Sequence, residues 1–175
     1  MTSITAILGV QGKGKTMLMT YYGTREHDRG RRIFSNYHLE KIDYIPVSTL
    51  NDLEHMRNGV FLGDELWLWL FSRTAQSRIN KEINKIVMLN RKRDVDIYYT
   101  AQRFGSVDIM LRSVTNLFVF PSIKKDTNDN WRLYYRIYDE IGRYIKTLYI
   151  KKSIEELGSY YDTTEEISSL DKETP

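Results

Sequence analysis

The chain reads as a three-layer α/β domain, a mostly parallel sheet between helices, extended by a C-terminal antiparallel hairpin. Three observations predict it. Ile4 to Leu8 is an apolar run leading into a glycine-rich stretch and then a helix-forming segment. A second apolar run, Val60 to Gly63, stops at two adjacent carboxylates, Asp64 and Glu65. Trp131 to Asp139 and Tyr144 to Lys151 alternate in period two around Glu140-Ile141-Gly142-Arg143, as an antiparallel hairpin with a glycine turn does. Continuous apolar strands that end at chemistry-bearing residues suit a buried parallel sheet, whose ligands gather at the C-terminal strand ends.

The first strand, Ile4 to Leu8, runs into Gly9-Val10-Gln11-Gly12-Lys13-Gly14-Lys15-Thr16. That stretch fits G-x-x-x-x-G-K-[ST] in the context of strand, loop and helix that a phosphate loop needs. Its glycines let successive N–H groups turn inward on a polyphosphate, and the helix beginning at Thr16-Met17 adds its N-terminal partial charge. Gly9, Gln11, Gly12, Lys13, Gly14, Lys15, Thr16 and Met17 are therefore the candidate nucleotide-binding residues. Lys15 is suited to reach the β- and γ-phosphates, and the Thr16 hydroxyl to ligate a bridging Mg²⁺.

The first helix is expected to end near Asp28-Arg29-Gly30, and Ile33 to Leu39 reads as the second strand. Pro46 to Leu53 reads as a loop with a cap at Ser48 or Thr49, opening a short helix that stops near Asn58-Gly59. The strand from Val60 then delivers Asp64 as a second holder of Mg²⁺ and Glu65 as the base that polarises an attacking water. Trp67, Trp69 and Phe71 could form a nucleic-acid stacking platform, but with no interleaved basic residues they suit core or subunit packing better. Ser77 to Arg93 carries apolar residues at helical spacing and ends basic, and Asp96 to Gln102 follows as a strand. Its end would put Thr100 and Gln102 at the crevice edge beside Asp64, with Gln102 suited to sense the γ-phosphate. Ser106 to Arg112 is expected to be helical and Thr115 to Phe120 a further strand. Lys124, Lys125, Arg132, Arg136, Arg143, Lys146, Lys151 and Lys152 lie among many tyrosines. Such a face can follow a nucleic-acid backbone and stack on bases, or be a solvated edge protected by charge.

The bulk properties agree with one domain over residues 1–161, its hairpin extension at about 131–152, and an acidic tail at 162–175. A chain of 175 residues with 41% apolar and 28% charged residues is ordinary for a globular protein. With no cysteine, disulfides, thiolate metal sites and cysteine nucleophiles are excluded, and an intracellular chain is the simple reading. His27, His38 and His55 show no metal-ligand spacing. No signal segment opens the chain, and no apolar run approaches the ~18 residues of a membrane span. A net charge of +3 hints weakly at a polyanionic partner.

Together, the Gly9 to Thr16 loop, Gly63-Asp64-Glu65, Arg91 ahead of Thr100-Ala101-Gln102, and Leu111-Arg112 resemble the FtsK–HerA division of P-loop ATPases. The chain most resembles the small genome-packaging ATPases of membrane-containing icosahedral viruses, especially archaeal turreted ones, and the zonula occludens toxin-like phage assembly ATPases. The resemblance implies a three-layer P-loop NTPase of the RecA/FtsK-like kind. It implies a homo-oligomeric ring, a hexamer or pentamer, that hydrolyses ATP with Mg²⁺ and moves double-stranded DNA. Gln102 resembles the γ-phosphate sensor, and Arg91 the arginine finger offered to a neighbour's ATP, with Arg93 or Arg112 as substitutes. The missing membrane segment and DNA-reading domain favour packaging at a viral capsid vertex or internal membrane protein, in the cytoplasm of an infected host cell. A small-molecule kinase would need an arginine-rich lid, and a guanine-nucleotide switch an Asn-Lys-x-Asp reader; neither is found.

Overall fold

The computed structural model describes residues 2–66, 68 and 87–165. Eight strands form one sheet, in the order β3-β2-β4-β5-β1-β6-β7-β8. Strands β1 (Ile4–Leu8), β2 (Arg32–Ser35), β3 (Ile45–Pro46), β4 (Gly59–Gly63), β5 (Val95–Ala101) and β6 (Leu117–Lys125) all run parallel. β7 (Trp131–Asp139) and β8 (Tyr144–Tyr149) then add antiparallel to β6. The three-layer architecture and C-terminal hairpin read from the pattern are present.

Both faces of the parallel part are covered, and for that reason its strands read as unbroken apolar runs. Ile4, Ala6 and Leu8 of β1 face one core with Phe61, Ile97, Tyr99 and Leu111. Ile7 faces the opposite core, where α1 (Lys15–Asp28) lays Met17, Leu18 and Met19 against Val60 and Leu62. α1 sits close to the sheet because Gly23 has no side chain. A Cβ there would lie 2.4 Å from Leu62 Cδ1.

Several elements differ from the sequence reading. β2 ends at Ser35 rather than Leu39 because the Ser35 hydroxyl bonds the Tyr37 carbonyl at 2.7 Å and turns the chain away. Ile45–Pro46 pairs with β2 as β3, although the loop reading starts at Pro46. Of the two caps read for α2 (Leu50–His55), Ser48 and Thr49, the structure uses Thr49, with a reciprocal capping box to Asp52. α4 (Ile109–Val114) starts at the Asp108 cap, later than Ser106, and follows a 3-10 turn at Phe104–Ser106. β6 runs on to Lys125 because β7 pairs along its whole length, so the extension is a three-stranded meander. Of the helix read at Ser77 to Arg93, only its end is described, with α3 at Asn90–Arg93. The Trp67, Trp69 and Phe71 stretch lies outside the described residues. α5 (Ile154–Gly158) packs near α1 before the chain turns back across the sheet.

No helix among the described residues is long and apolar enough to cross a membrane.

Candidate functional site at the phosphate loop

The parallel strand order creates the site. β5 lies between β1 and β4, so the loop after β1 and the carboxylates after β4 are separated by one strand, whose end supplies Thr100. Gly9 N–H donates to the Ala101 carbonyl at 3.2 Å, which ties the loop's start to the end of β5. Gly14 holds φ at 85°, and a Cβ on it would lie 2.8 Å from Leu133 Cδ1. Its backbone turn therefore needs glycine for conformation and for space. Lys15 and Thr16 open α1 directly behind it.

Asp64 is the hub. It is 8% exposed, and the Thr16 hydroxyl donates to both its oxygens, at 3.1 and 3.0 Å. The Thr100 hydroxyl donates to Oδ1 at 2.6 Å while accepting the Glu65 N–H at 2.8 Å. Asn36, just past β2, holds the Asp64 peptide at both ends. Glu65 itself sits in the left-handed region, φ 45°, a conformation that costs a non-glycine residue about 1–3 kcal/mol. The bonds to Thr100 and from Leu68 N–H to the Glu65 carbonyl hold it there.

Gln11, Gly12, Lys15, Thr16, Asp64 and Glu65 line one cavity of about 620 Å³. Burial pushes the Asp64 carboxyl above its ordinary range, against the hydrogen bonds from Thr100 and Thr16 and the nearby Lys15 charge. Burial likewise raises Glu65, and the Asp64 charge adds to it. Burial lowers Lys15, partly offset by the two carboxylates, and its Nζ donates to the Val10 carbonyl at 3.3 Å. The pocket thus sets one ammonium against two crowded acids. That donor set, a hydroxyl and carboxylate oxygens, fits a hard cation such as Mg²⁺. Among the described residues no three His, Cys, Asp or Glu side chains group to hold a metal by themselves, so a phosphate and waters would have to complete its shell.

The remaining predicted residues are placed differently. Gly9 stands at the loop entrance, Lys13 packs its stem near the position a Gly9 Cβ would take, and Met17 is buried in the α1 core. Gln102 lies one residue beyond β5 and is exposed, outside the lining of the cavity. Arg91 is exposed on α3, before β5 begins. Seven residues of strand separate it from the loop end of the sheet, a span of about 20 Å; the structure does not bring Arg91 to this site. Arg93 reaches the Leu53 carbonyl at 3.4 Å, and Arg112 lies over the Phe104 ring at 4.9 Å.

Three contributors carried no assigned role in the sequence reading. Asn36 is one. Thr100 was placed at the crevice edge, but its bonds to Asp64 and Glu65 depend on strand order. The third is the segment after α5: Tyr161, Asp162, Thr163 and Glu165 line the same cavity. It is fastened by a bridge between Leu39 and Tyr161, by Glu40 N–H to the Tyr160 carbonyl at 2.9 Å, and by His38 N–H to the Glu165 carboxylate at 2.7 Å. Burial and the Asp64 charge push the Tyr161 phenol up to about 12.

Solved structures share this fold. The N-terminal domain of zonular occludens toxin from Neisseria meningitidis matches with a TM-score of 0.63 at 17% identity, covering 93% of this chain and 100% of that one. The fold is that of a P-loop ATPase. The genome packaging NTPase B204 from Sulfolobus turreted icosahedral virus 2, in complex with AMPPCP, matches with a TM-score of 0.59 at 11% identity, covering 87% and 98%. The flagellar accessory protein FlaH from Methanocaldococcus jannaschii matches with a TM-score of 0.57 at 11% identity, covering 84% of each chain. No protein-family model matches. A curated relative, the uncharacterized protein ORF2 of Spiroplasma virus SpV1-R8A2 B, is 29% identical over 133 residues, or 70% of this chain. The chain spans 39% of the length of that relative.

Proposed function

We propose that the chain is a viral ATP-hydrolysing motor that moves DNA. The observation that carries this reading is the Thr16–Asp64–Thr100 hydrogen-bond set at the mouth of the phosphate loop, with Glu65 locked beside it. Lys15 would exchange the Val10 carbonyl for the β- and γ-phosphates. Thr16 and Asp64 would hold Mg²⁺, which supplies charge neutralisation between the phosphates. Glu65 would take the proton of the attacking water, its basicity raised by burial and by the neighbouring Asp64 charge. Gln102 would report the γ-phosphate from the end of β5. Arg91, remote from its own site, would act on a neighbour's nucleotide in a hexameric or pentameric ring.

Two viral tasks fit such a motor. One is packaging of double-stranded DNA into a preformed capsid, at a vertex or internal membrane protein, in the infected cell; the match to the packaging NTPase B204 supports it. The other is phage assembly of the zonula occludens toxin type. The match that takes in all of that toxin's N-terminal domain, with a TM-score of 0.63, favours it.

Steady-state ATP hydrolysis, with and without double- or single-stranded DNA and over a range of protein concentrations, tests the motor. Turnover per subunit that rises with both DNA and concentration is expected. Turnover indifferent to both, or dependent on a small acceptor, would favour a kinase instead.

A further inference from the structure

The meander β6–β8 has one face that belongs to the α1 core and one that no helix among the described residues covers along β7 and β8. On the first, Leu133, Tyr135 and Ile137 are buried. On the second, the pairing places Phe118, Tyr138 and Tyr144 in one row, Phe120, Arg136 and Thr147 in the next, and Ser122, Tyr134 and Tyr149 in a third. Tyr134 and Tyr149 lie 5.7 Å apart at 36°, and Tyr138 and Tyr144 5.8 Å apart. Tyr144 is 57% and Tyr149 55% exposed, and all six residues of β8 are open to solvent. At the end nearer the 3-10 turn, Phe104, Phe120, Arg136 and Tyr138 border a cavity of about 490 Å³.

Charge says what such a face would meet. From Leu117 to Lys152 there are eight Lys and Arg against four Asp and Glu, an excess of four, whereas the whole chain carries +3. The molecule's net positive charge therefore resides in this extension. Arg132, Arg143, Lys125 and Lys152 are each paired with a carboxylate. Lys124, Arg136, Lys146 and Lys151 have no such partner among the described residues. A hydrophobic protein partner would not call for this excess of cations, and a duplex hides its base faces within the stack. Exposed rings flanking an unpaired guanidinium suit a polyanion whose bases are free to stack.

We propose that the uncovered face of β6–β8, with Tyr134, Arg136, Tyr138, Tyr144 and Tyr149, is a binding site for single-stranded DNA. The site takes its setting from, and so rests on, the DNA-motor reading. The tyrosines stack on successive bases, and Arg136 with Lys124 neutralises phosphates. This is a platform for unpaired DNA on the motor itself, apart from the ATP site.

Fluorescence anisotropy with a short labelled oligothymidine, and with a duplex of the same length, tests it on the full chain. The single strand is expected to bind at least about tenfold more tightly than the duplex, and Tyr149→Ala and Tyr134→Ala each to weaken it about tenfold. Tyr149→Phe should bind as the parent does, because stacking needs the ring and not the hydroxyl. Arg136→Ala should flatten the salt dependence by about one phosphate contact. Basal ATP hydrolysis should be unchanged in all four. Equal affinity for duplex, unchanged affinity in the variants, or a Tyr149→Ala effect on self-association instead of DNA affinity would overturn the site. Stacking-dependent binding without DNA-stimulated turnover would keep the site and remove the motor reading. DNA-stimulated turnover and DNA affinity left intact in Arg136→Ala and Tyr149→Ala would do the reverse.

Discussion

Asn36 holds Asp64 by both ends of its peptide: Asp64 N–H donates to Asn36 Oδ1 at 2.7 Å, and Asn36 Nδ2 donates to the Asp64 carbonyl at 2.9 Å. The side-chain amide continues the β2–β4 ladder one step beyond the end of both strands. It thereby sets where the Asp64–Glu65 pair leaves the sheet. Asn36→Ala should cost about 1–3 kcal/mol of stability, since it strands a buried N–H and carbonyl. Turnover should fall more than ATP affinity does. Urea denaturation beside kcat and KM checks this, and equal losses in affinity and turnover would count against a positioning role.

Glu65→Gln should bind ATP like the parent while losing about 10²–10⁴-fold in turnover, the usual contribution of a general base. Lys15→Ala should lose nucleotide binding itself. Titration with a fluorescent ATP analogue and phosphate release distinguish the two. If Arg91 acts on a neighbour, Arg91→Ala mixed with Glu65→Gln should recover part of the activity that each lacks.

Gly14→Ala should destabilise the fold by about 1–3 kcal/mol as well as block phosphate binding. Its φ of 85° is unfavourable for alanine, and the new methyl would meet Leu133 at 2.8 Å. Leu133 must then shift out of the α1 core. A melting temperature equal to that of the parent would show that the loop tolerates a side chain there.

The segment across the cavity should oppose nucleotide. Asp162 and Glu165 bring negative charge to a pocket that already holds Asp64 and Glu65. The double variant Asp162→Asn, Glu165→Gln should tighten ATP binding on the order of threefold, the scale of exposed, screened charges. Weaker binding would mean instead that the segment helps to shape the site.

The α2 cap gives a pH signature. Burial works against the charged Asp52, but N–H donors from Ser48 and Thr49 outweigh it, and its pKa is lowered from the ordinary 3.8. A depressed folded-state pKa adds stability above the unfolded value, lost as pH falls from about 3.8 through the folded value. Asp52→Asn should therefore remove that acid-limb dependence. Thr49→Ala should cost about 1 kcal/mol at neutral pH. Urea unfolding from pH 3 to 7 checks both.

The phosphate loop was legible because its chemistry is local. Eight consecutive residues between a strand and a helix contain the turn, the lysine and the hydroxyl, and no distant residue is needed to recognise them. The same holds for the β7–β8 hairpin, where period-two alternation and Gly142, at φ 82°, act within a few residues. β3 escaped notice because two residues carry no periodicity, and the stop of β2 at Ser35 depends on one hydroxyl bond.

What the chain order could not decide was adjacency between parallel strands, which long crossovers leave open and only packing of both sheet faces selects. That choice inserts β5 between β1 and β4 and brings Thr100 onto Asp64 and Glu65. It carries Asn36 to the Asp64 peptide from the other side, and leaves Arg91 at the far end of its own sheet. The return of Tyr161 to Glu165 across the pocket is of the same kind, since its partners Leu39 and His38 lie more than a hundred residues earlier. Local residue order alone marks Lys15, Thr16, Asp64 and Glu65 as candidates for phosphate chemistry. Tertiary structure determined which of them meet, because hydrogen bonds of about 3 Å are formed only between groups that the packed sheet has already brought together.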